Sequence, residues 1–204
     1  MEEKVLSIEM EAKILKAATS IFIKKGKAGA SMQDIADEAG INRTLLNYYF
    51  RSKNKLFEQV FDKVFLQFIP AIIERLNSAK PIVDRLEDII DYYFYLLTEN
   101  PFIPVFIFQE IATNPDRMID SIRGKGLNPS VFLSRLQLEM NNGNLKQMDP
   151  KMLMINLLSL IIFPFAARPI IEGLIFEGNK DEFDRFIKVR KEYLKKSFIE
   201  TIKA

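Results

Sequence analysis

Residues Ser31–Lys53 read SMQDIADEAGINRTLLNYYFRSK, two short helix signals joined at a glycine and followed by an aromatic and basic cluster. Ser31 is followed three positions later by Asp34, the spacing of a capping box that satisfies free amides at a helix start. A short helix to about Ala39 follows, with Ile35, Ala36 and Ala39 forming its narrow apolar face. Gly40 stops it, because glycine adopts the left-handed backbone that a helix C-terminus commonly requires. Ile41 then pins the turn, and Asn42 caps a second helix running to Tyr48 or Tyr49. Ser52 can cap a third, and Lys53 in its first turn brings an ammonium to helix-terminal amides, a combination suited to a backbone phosphate. Two helices meeting at such a turn predict a helix-turn-helix.

Working outward, Ile8–Lys25 carries Ile14, Ala17, Ala18, Ile21 and Phe22 at helical spacing and ends in Lys24, Lys25 and Gly26, so a packing helix precedes the two-helix unit. No acidic residue lies between Glu38 and Glu58, an interval that holds Arg43, Arg51, Lys53 and Lys55. A formal net charge of +2 is too small to imply nucleic acid, but this local positive stretch is the expected electrostatic footprint.

The segments ILKAATSIFIKKG, SMQDIADEAGI and LNYYFRSKNKLF, in this order and spacing, resemble the DNA-binding domain of the tetracycline-repressor-like transcription regulators. The resemblance covers roughly residues 8–65. It implies a recognition helix from Asn42 to Tyr48, with Arg43, Thr44, Leu45 and Asn47 nearest the base edges and Tyr48 within the contacting set. Tyr49 and Lys53 are implied at the phosphates, and Met32 and Gln33 at the groove edge. The chemistry suits these assignments: Arg43 can pair with guanine, Asn47 with adenine, and Leu45 or the Thr44 methyl with a thymine methyl. Thr44, Leu45 and Asn47 depart from the residues common in that family, so no operator transfers from relatives.

Composition bounds the rest. The 204 residues are 48% apolar and 27% charged, the balance of a globular chain of one or two domains. Cysteine, histidine and tryptophan are absent, which excludes disulfides and thiol sensing and removes the usual imidazole and thiolate ligands for zinc, copper or iron. No cofactor or metal is implied. The N-terminal Glu2, Glu3 and Glu9 do not resemble a secretory leader, so a cytoplasmic protein is expected.

Beyond Val60 the chain becomes rich in phenylalanine. Val60, Phe61, Val64, Phe65, Phe68 and Ile69 form an apolar stripe that extends the fourth helix until Pro70 kinks or ends it. A helix from Ile82 to Glu99 follows. Asn100-Pro101, Asn114-Pro115, Asn128-Pro129 and Asp149-Pro150 each read as a cap followed by proline at the first helical position. No segment alternates like a strand. The expected architecture is all-α with about nine helices: a helix-turn-helix DNA-binding domain at 1–52 and a larger effector-binding and dimerisation domain at 53–204.

Met152–Ala167 is the most apolar stretch, interrupted by Asn156 and Ser159. Sixteen helical residues span about 24 Å against a bilayer core of about 30 Å, and Pro164 lies within, so no membrane span is expected. Such a helix needs burial, which a second subunit supplies. The last helix, Asp181–Ile202, aligns Phe183, Ile187, Leu194 and Phe198 on one face. Both stripes predict a homodimer through residues 150–202. In the resembling family the final two helices pack against their symmetry mates, placing two recognition helices about 34 Å apart on operator duplex DNA.

On helices that enclose an effector cavity in that family lie Phe94, Tyr95, Phe102, Phe106, Phe108 and Phe132, with Gln109 and Asn156 as orienting polar groups. A small hydrophobic effector would suit such a lining, although phenylalanine at helical spacing equally serves a core. An enzyme is not expected: Arg123-Gly124-Lys125-Gly126 lacks the spacing of a phosphate-binding loop, and Glu87, Asp88 and Asp91 read as a solvated face. The reading is a dimeric repressor released from its operator by a small hydrophobic ligand. The alternative is a helical small-molecule or lipid-binding protein, or an adaptor, without sequence-specific DNA binding.

Overall fold

The computed structural model describes residues 2–64, 66–101 and 103–204. Phe65 and Phe102 therefore lie outside the described residues. The described chain forms twelve α-helices and one 3-10 turn at Leu66–Phe68, with no strand. The helices are α1 (Glu2–Gly29), α2 (Met32–Ala39), α3 (Arg43–Tyr49), α4 (Lys53–Val64), α5 (Ile69–Asn77) and α6 (Ile82–Glu99). They continue as α7 (Ile103–Thr113), α8 (Pro115–Gly124), α9 (Pro129–Asn141), α10 (Pro150–Ala166), α11 (Arg168–Leu174) and α12 (Lys180–Ile202).

All-α is as expected, but the number of helices is twelve rather than about nine. Two of the additions have clear causes. Pro70 does not terminate α4; the break falls earlier, and Pro70 occupies the second position of α5, where its missing N–H removes no intrahelical bond. α11 follows α10 after a 65° bend at Ala167, which serves both as the C-cap of one and the N-cap of the other. Three of the four proline starts hold, at Pro115, Pro129 and Pro150. The fourth does not: Asn100 closes α6, with its backbone N–H and side-chain amide both donating to the Leu96 carbonyl, and α7 begins at Ile103.

The chain forms two compact units. The first comprises residues up to Ile69 together with Phe106–Lys125; the second comprises Pro70–Val105 and Gly126–Ala204. In the first unit, α1 buries Ile14, Ala18 and Phe22 while α2 contributes Ile35, Ala36 and Ala39 and α3 Leu46. The α4 rings of Phe57 and Phe61 lie 5.3 and 5.8 Å from Phe106 of α7. That aromatic packing draws the α7–α8 hairpin into this unit. It also carries Glu110, buried with only 2% exposed, whose carboxylate meets the Arg117 guanidinium at 2.6 Å; Arg117 in turn lies 4.9 Å over the Phe61 ring.

In the second unit, α6 packs on α10 and α12, and α10 also contacts α9 and α11. Leu86, Ile90, Phe94, Leu136, Leu153, Ile161 and Phe183 make its core, with Phe94 edge-on to Phe165 at 5.7 Å. Asp91 of α6 ties α12 through Lys195 at 2.7 Å and Lys191 at 3.3 Å. Among the described residues no single helix is long and apolar enough to cross a membrane; only the bent α10–α11 pair has the length and composition together.

Candidate nucleic-acid interface and ligand cavity

The turn between α2 and α3 follows its sequence closely. Ser31 Oγ accepts from the Asp34 N–H at 3.0 Å while the Asp34 carboxylate accepts from the Ser31 N–H at 2.9 Å, completing the capping box. Gly40 has φ 61° and ψ 40°, and the amides of Gly40 and Ile41 donate to the carbonyls of Asp37 and Ala36, the paired closure of a Schellman motif. Asn42 Oδ1 accepts from the Leu45 N–H at 2.7 Å, which starts α3. Ser52 Oγ accepts from the Lys55 N–H at 3.3 Å and starts α4.

These caps hold α3 with one face in the core and the other outside. Leu46 is fully buried; Arg43, Thr44, Asn47 and Tyr48 are exposed, and Leu45 and Tyr49 are half-buried at the edge. Tyr48, 80% exposed, stands edge-on to Tyr49 at 5.5 Å, so a large aromatic surface faces water at the end of the helix. On α2, Met32 is half-buried, and Gln33 is exposed with its amide donating to Asp37 at 2.8 Å.

Charge sorts in the same direction. Asp34 and Glu38 of α2 are matched by Lys25 at 2.7 Å and Lys24 at 3.7 Å, with Ser20 Oγ also donating to Glu38. Lys25 and then Ser31 hold the Asp34 carboxyl down to about 2. Among the described residues Arg43, Arg51 and Lys55 have no acidic partner, leaving uncompensated positive charge beside the exposed α3 face. Lys53 is held within the protein. Its Nζ donates to the Ala30 carbonyl at 2.9 Å and reaches the Ala28 carbonyl at 3.5 Å, tying α4 to the end of α1.

Within the second unit, the residues expected around an effector do not share one cavity. Phe132 is buried and lines an apolar cavity of about 130 Å³ within the second unit. Phe94 is buried against Phe165 and borders a separate open groove beside Tyr95 and Ile187. Phe106 belongs to the aromatic packing of the first unit, and Gln109, also in that unit, is exposed beside Gly26. Phe108 is half exposed. Asn156 lies on the outer face of α10, exposed near Ile155 in sequence and place, and Phe102 falls outside the described residues.

The 130 Å³ cavity is built instead from Ile72, Ile89, Tyr93, Met154 and Leu157 around Phe132, together with neighbouring leucines and a proline. Burial pushes the Tyr93 phenol up to about 12. The run Asp91-Tyr92-Tyr93-Phe94 gives no local sign of which ring turns inward, so the sequence does not single out Tyr93. A larger open groove of about 490 Å³ carries Arg75 4.0 Å over the Tyr92 ring and Lys80 bonded to Asp88, while Ser78 Oγ and Asp91 Oδ1 are buried there without a hydrogen bond.

Residues 14–60 match the family of bacterial regulatory proteins, tetR family. Over 84 residues the chain is 37% identical to the HTH-type transcriptional repressor NicS of Pseudomonas putida, covering 39% of this chain and 40% of that protein. The chain thus spans about half the length of the curated relatives it matches. The fold is similar to that of HlyIIR, a hemolysin II transcriptional regulator, with a TM-score of 0.62 at 26% identity over 89% of this chain and 96% of that one. It is also similar to AibR in complex with isovaleryl coenzyme A and operator DNA, with a TM-score of 0.63 at 20% identity over 76% and 85% of the two chains.

Proposed function

Because the chain is TetR-like, carrying at residues 14–60 the DNA-binding domain of that family of bacterial regulators, we propose that it is a dimeric, ligand-responsive repressor of transcription. One observation carries this reading: an α3 held by caps at both flanks with Arg43, Thr44, Asn47 and Tyr48 exposed beside unpaired cations. Arg43 and Asn47 read base edges, Thr44 and Leu45 meet thymine methyls, and Tyr48 and Tyr49 stand toward the backbone. The likeness to NicS, a repressor, supports the sign of regulation, and AibR, similar in fold, is a structure that holds both isovaleryl coenzyme A and operator DNA.

The dimer forms through α10 and α12. Met152, Ile155 and Phe163 recur on one face of α10 and are 58%, 61% and 63% exposed; the expected α12 stripe of Phe183, Ile187, Leu194 and Phe198 is buried within the chain itself, so α12 offers its exposed Val189 and Tyr193 instead. A second copy of this chain covers that face and sets two recognition helices about one helical turn, ~34 Å, apart. The chain crosses between its units at residues 69/70, 105/106 and 125/126, so a ligand that favours one arrangement of the second unit acts on the first through three covalent connections.

The test is fluorescence anisotropy with duplex DNA from upstream of its own gene, followed by unbiased operator selection, at two salt concentrations. Wild type binds with an affinity that falls steeply with salt, and Arg43→Ala with Asn47→Ala loses sequence preference while keeping its fold. Failure to select any duplex would overturn the reading in favour of a ligand-binding protein without DNA specificity.

A further inference from the structure

Ten described residues line the 130 Å³ cavity, and none is Lys, Arg, Asp or Glu. A charged molecule entering it would lose its hydration without gaining an ionic partner. Tyr93 is the only lining residue with a hydrogen-bonding hydroxyl, and that hydroxyl has no partner among the described residues. For scale, a dry cavity of about 150 Å³ holds one benzene. Met154, half-buried on α10, gives one wall an adaptable side chain.

We infer that this cavity takes a small neutral molecule, a single ring or short branched acyl group bearing one oxygen, and that Tyr93 donates its hydroxyl hydrogen to that oxygen. The inference rests on the repressor reading for its regulatory meaning, but the binding chemistry stands on the cavity itself. Burial keeps the phenol protonated through the physiological range, so it is a donor throughout. Whole nucleotide-bearing thioesters exceed the volume, and carboxylates are rejected by the lining.

The experiment uses the full chain and two probes of nearly equal shape and about the size of benzene, methyl cyclopropyl ketone and cyclopropanecarboxylate, with cyclopentane as the ring without oxygen. Calorimetry should show the ketone binding and the carboxylate failing to bind at the same concentration. Tyr93→Phe should weaken the ketone about tenfold and leave cyclopentane unchanged, and Met154→Trp, checked for fold by circular dichroism, should block the ketone and cyclopentane. Carboxylate binding as well as the ketone, indifference of the ketone to Tyr93→Phe, or no binding by any probe would each overturn the inference. Operator anisotropy without probe, run on the same samples, separates the two readings. DNA binding with no probe uptake removes the effector inference alone, whereas probe uptake as expected without any selected duplex removes the repressor reading and leaves the cavity chemistry standing.

Discussion

The Arg190 guanidinium of α12 donates to the Leu160 carbonyl of α10 at 3.0 Å. Leu160 is four residues before Pro164, whose ring nitrogen has no hydrogen to give, so that carbonyl lacks its usual helical donor. α12 supplies the bond that α10 forfeits. Arg190→Ala should lower stability by about 1 kcal/mol, below the usual range for charge-assisted bonds because the bond is exposed to water. Pro164→Ala restores a local N–H, so in that background the Arg190→Ala loss should shrink. A double-mutant cycle by urea denaturation reads the coupling, and equal losses in both backgrounds would refute the link.

Gly40 has room for a side chain, since the nearest atom to an added methyl would be Lys13 Nζ at 3.9 Å, but its φ of 61° is a conformation other residues avoid. Gly40→Ala should therefore destabilise the first unit by about 1 kcal/mol through backbone strain alone. Thermal melts resolve the shift. Gly143→Ala, also at positive φ but after α9 in the second unit, makes the comparison for strain away from the α2–α3 turn.

Asp34 sets a pH dependence with a definite sign. Its carboxyl is lowered from 3.8 to about 2, first by Lys25 and then by Ser31, so folding favours the charged form. The associated stability is fully present above about 3.8 and is lost as pH falls through about 2. Carboxyl-detected NMR should show this low midpoint, and Lys25→Met should move it upward. The stability difference between wild type and Asp34→Asn should narrow over the same interval of acidification.

Lys53 separates structural from DNA-contacting cations. Because its ammonium bonds the Ala30 and Ala28 carbonyls, Lys53→Met should lower the melting temperature, by a loss of about 1 kcal/mol, as well as weaken DNA binding. Arg43→Ala should weaken DNA binding while leaving the melt unchanged, since Arg43 is exposed and unpaired. Paired calorimetric melts and anisotropy titrations check both.

The apolar face of α10 predicts the state of assembly. Wild type should sediment as a dimer at micromolar concentration, and Phe163→Glu, which places a charge on a ring 63% exposed in the single chain, should sediment as a folded monomer. A monomeric wild type would remove the dimer, and a dimeric Phe163→Glu would move its interface elsewhere.

Much of the helix-turn-helix was legible because its determinants are local. Ser31 with Asp34, Gly40 with Asp37, Ile41 with Ala36, and Asn42 with Leu45 each act across no more than five residues, and the structure contains every one of those bonds. The same local logic located α8, α9 and α10 from Asn114-Pro115, Asn128-Pro129 and Asp149-Pro150. It failed at Asn100-Pro101 because asparagine terminates a helix as readily as it starts one, and here its amide turns back to Leu96. It failed at Pro70 because a proline in a first turn and a proline that ends a helix look alike without knowing where the preceding helix stops.

The sequence alone determined where the α2–α3 turn lies, which caps shape it, that the chain is helical, and which stripes on α10 and α12 are apolar. Each of these follows from spacing within a turn or two of backbone. Tertiary structure alone decided that Phe106 joins Phe57 and Phe61 in the first unit, that Lys53 holds carbonyls, that Arg190 serves Leu160, and that Tyr93 rather than Gln109 or Asn156 lines the cavity with Phe132. Those partners are brought together by packing between helices distant in the chain, and a periodic pattern specifies that a face is buried without specifying what it meets.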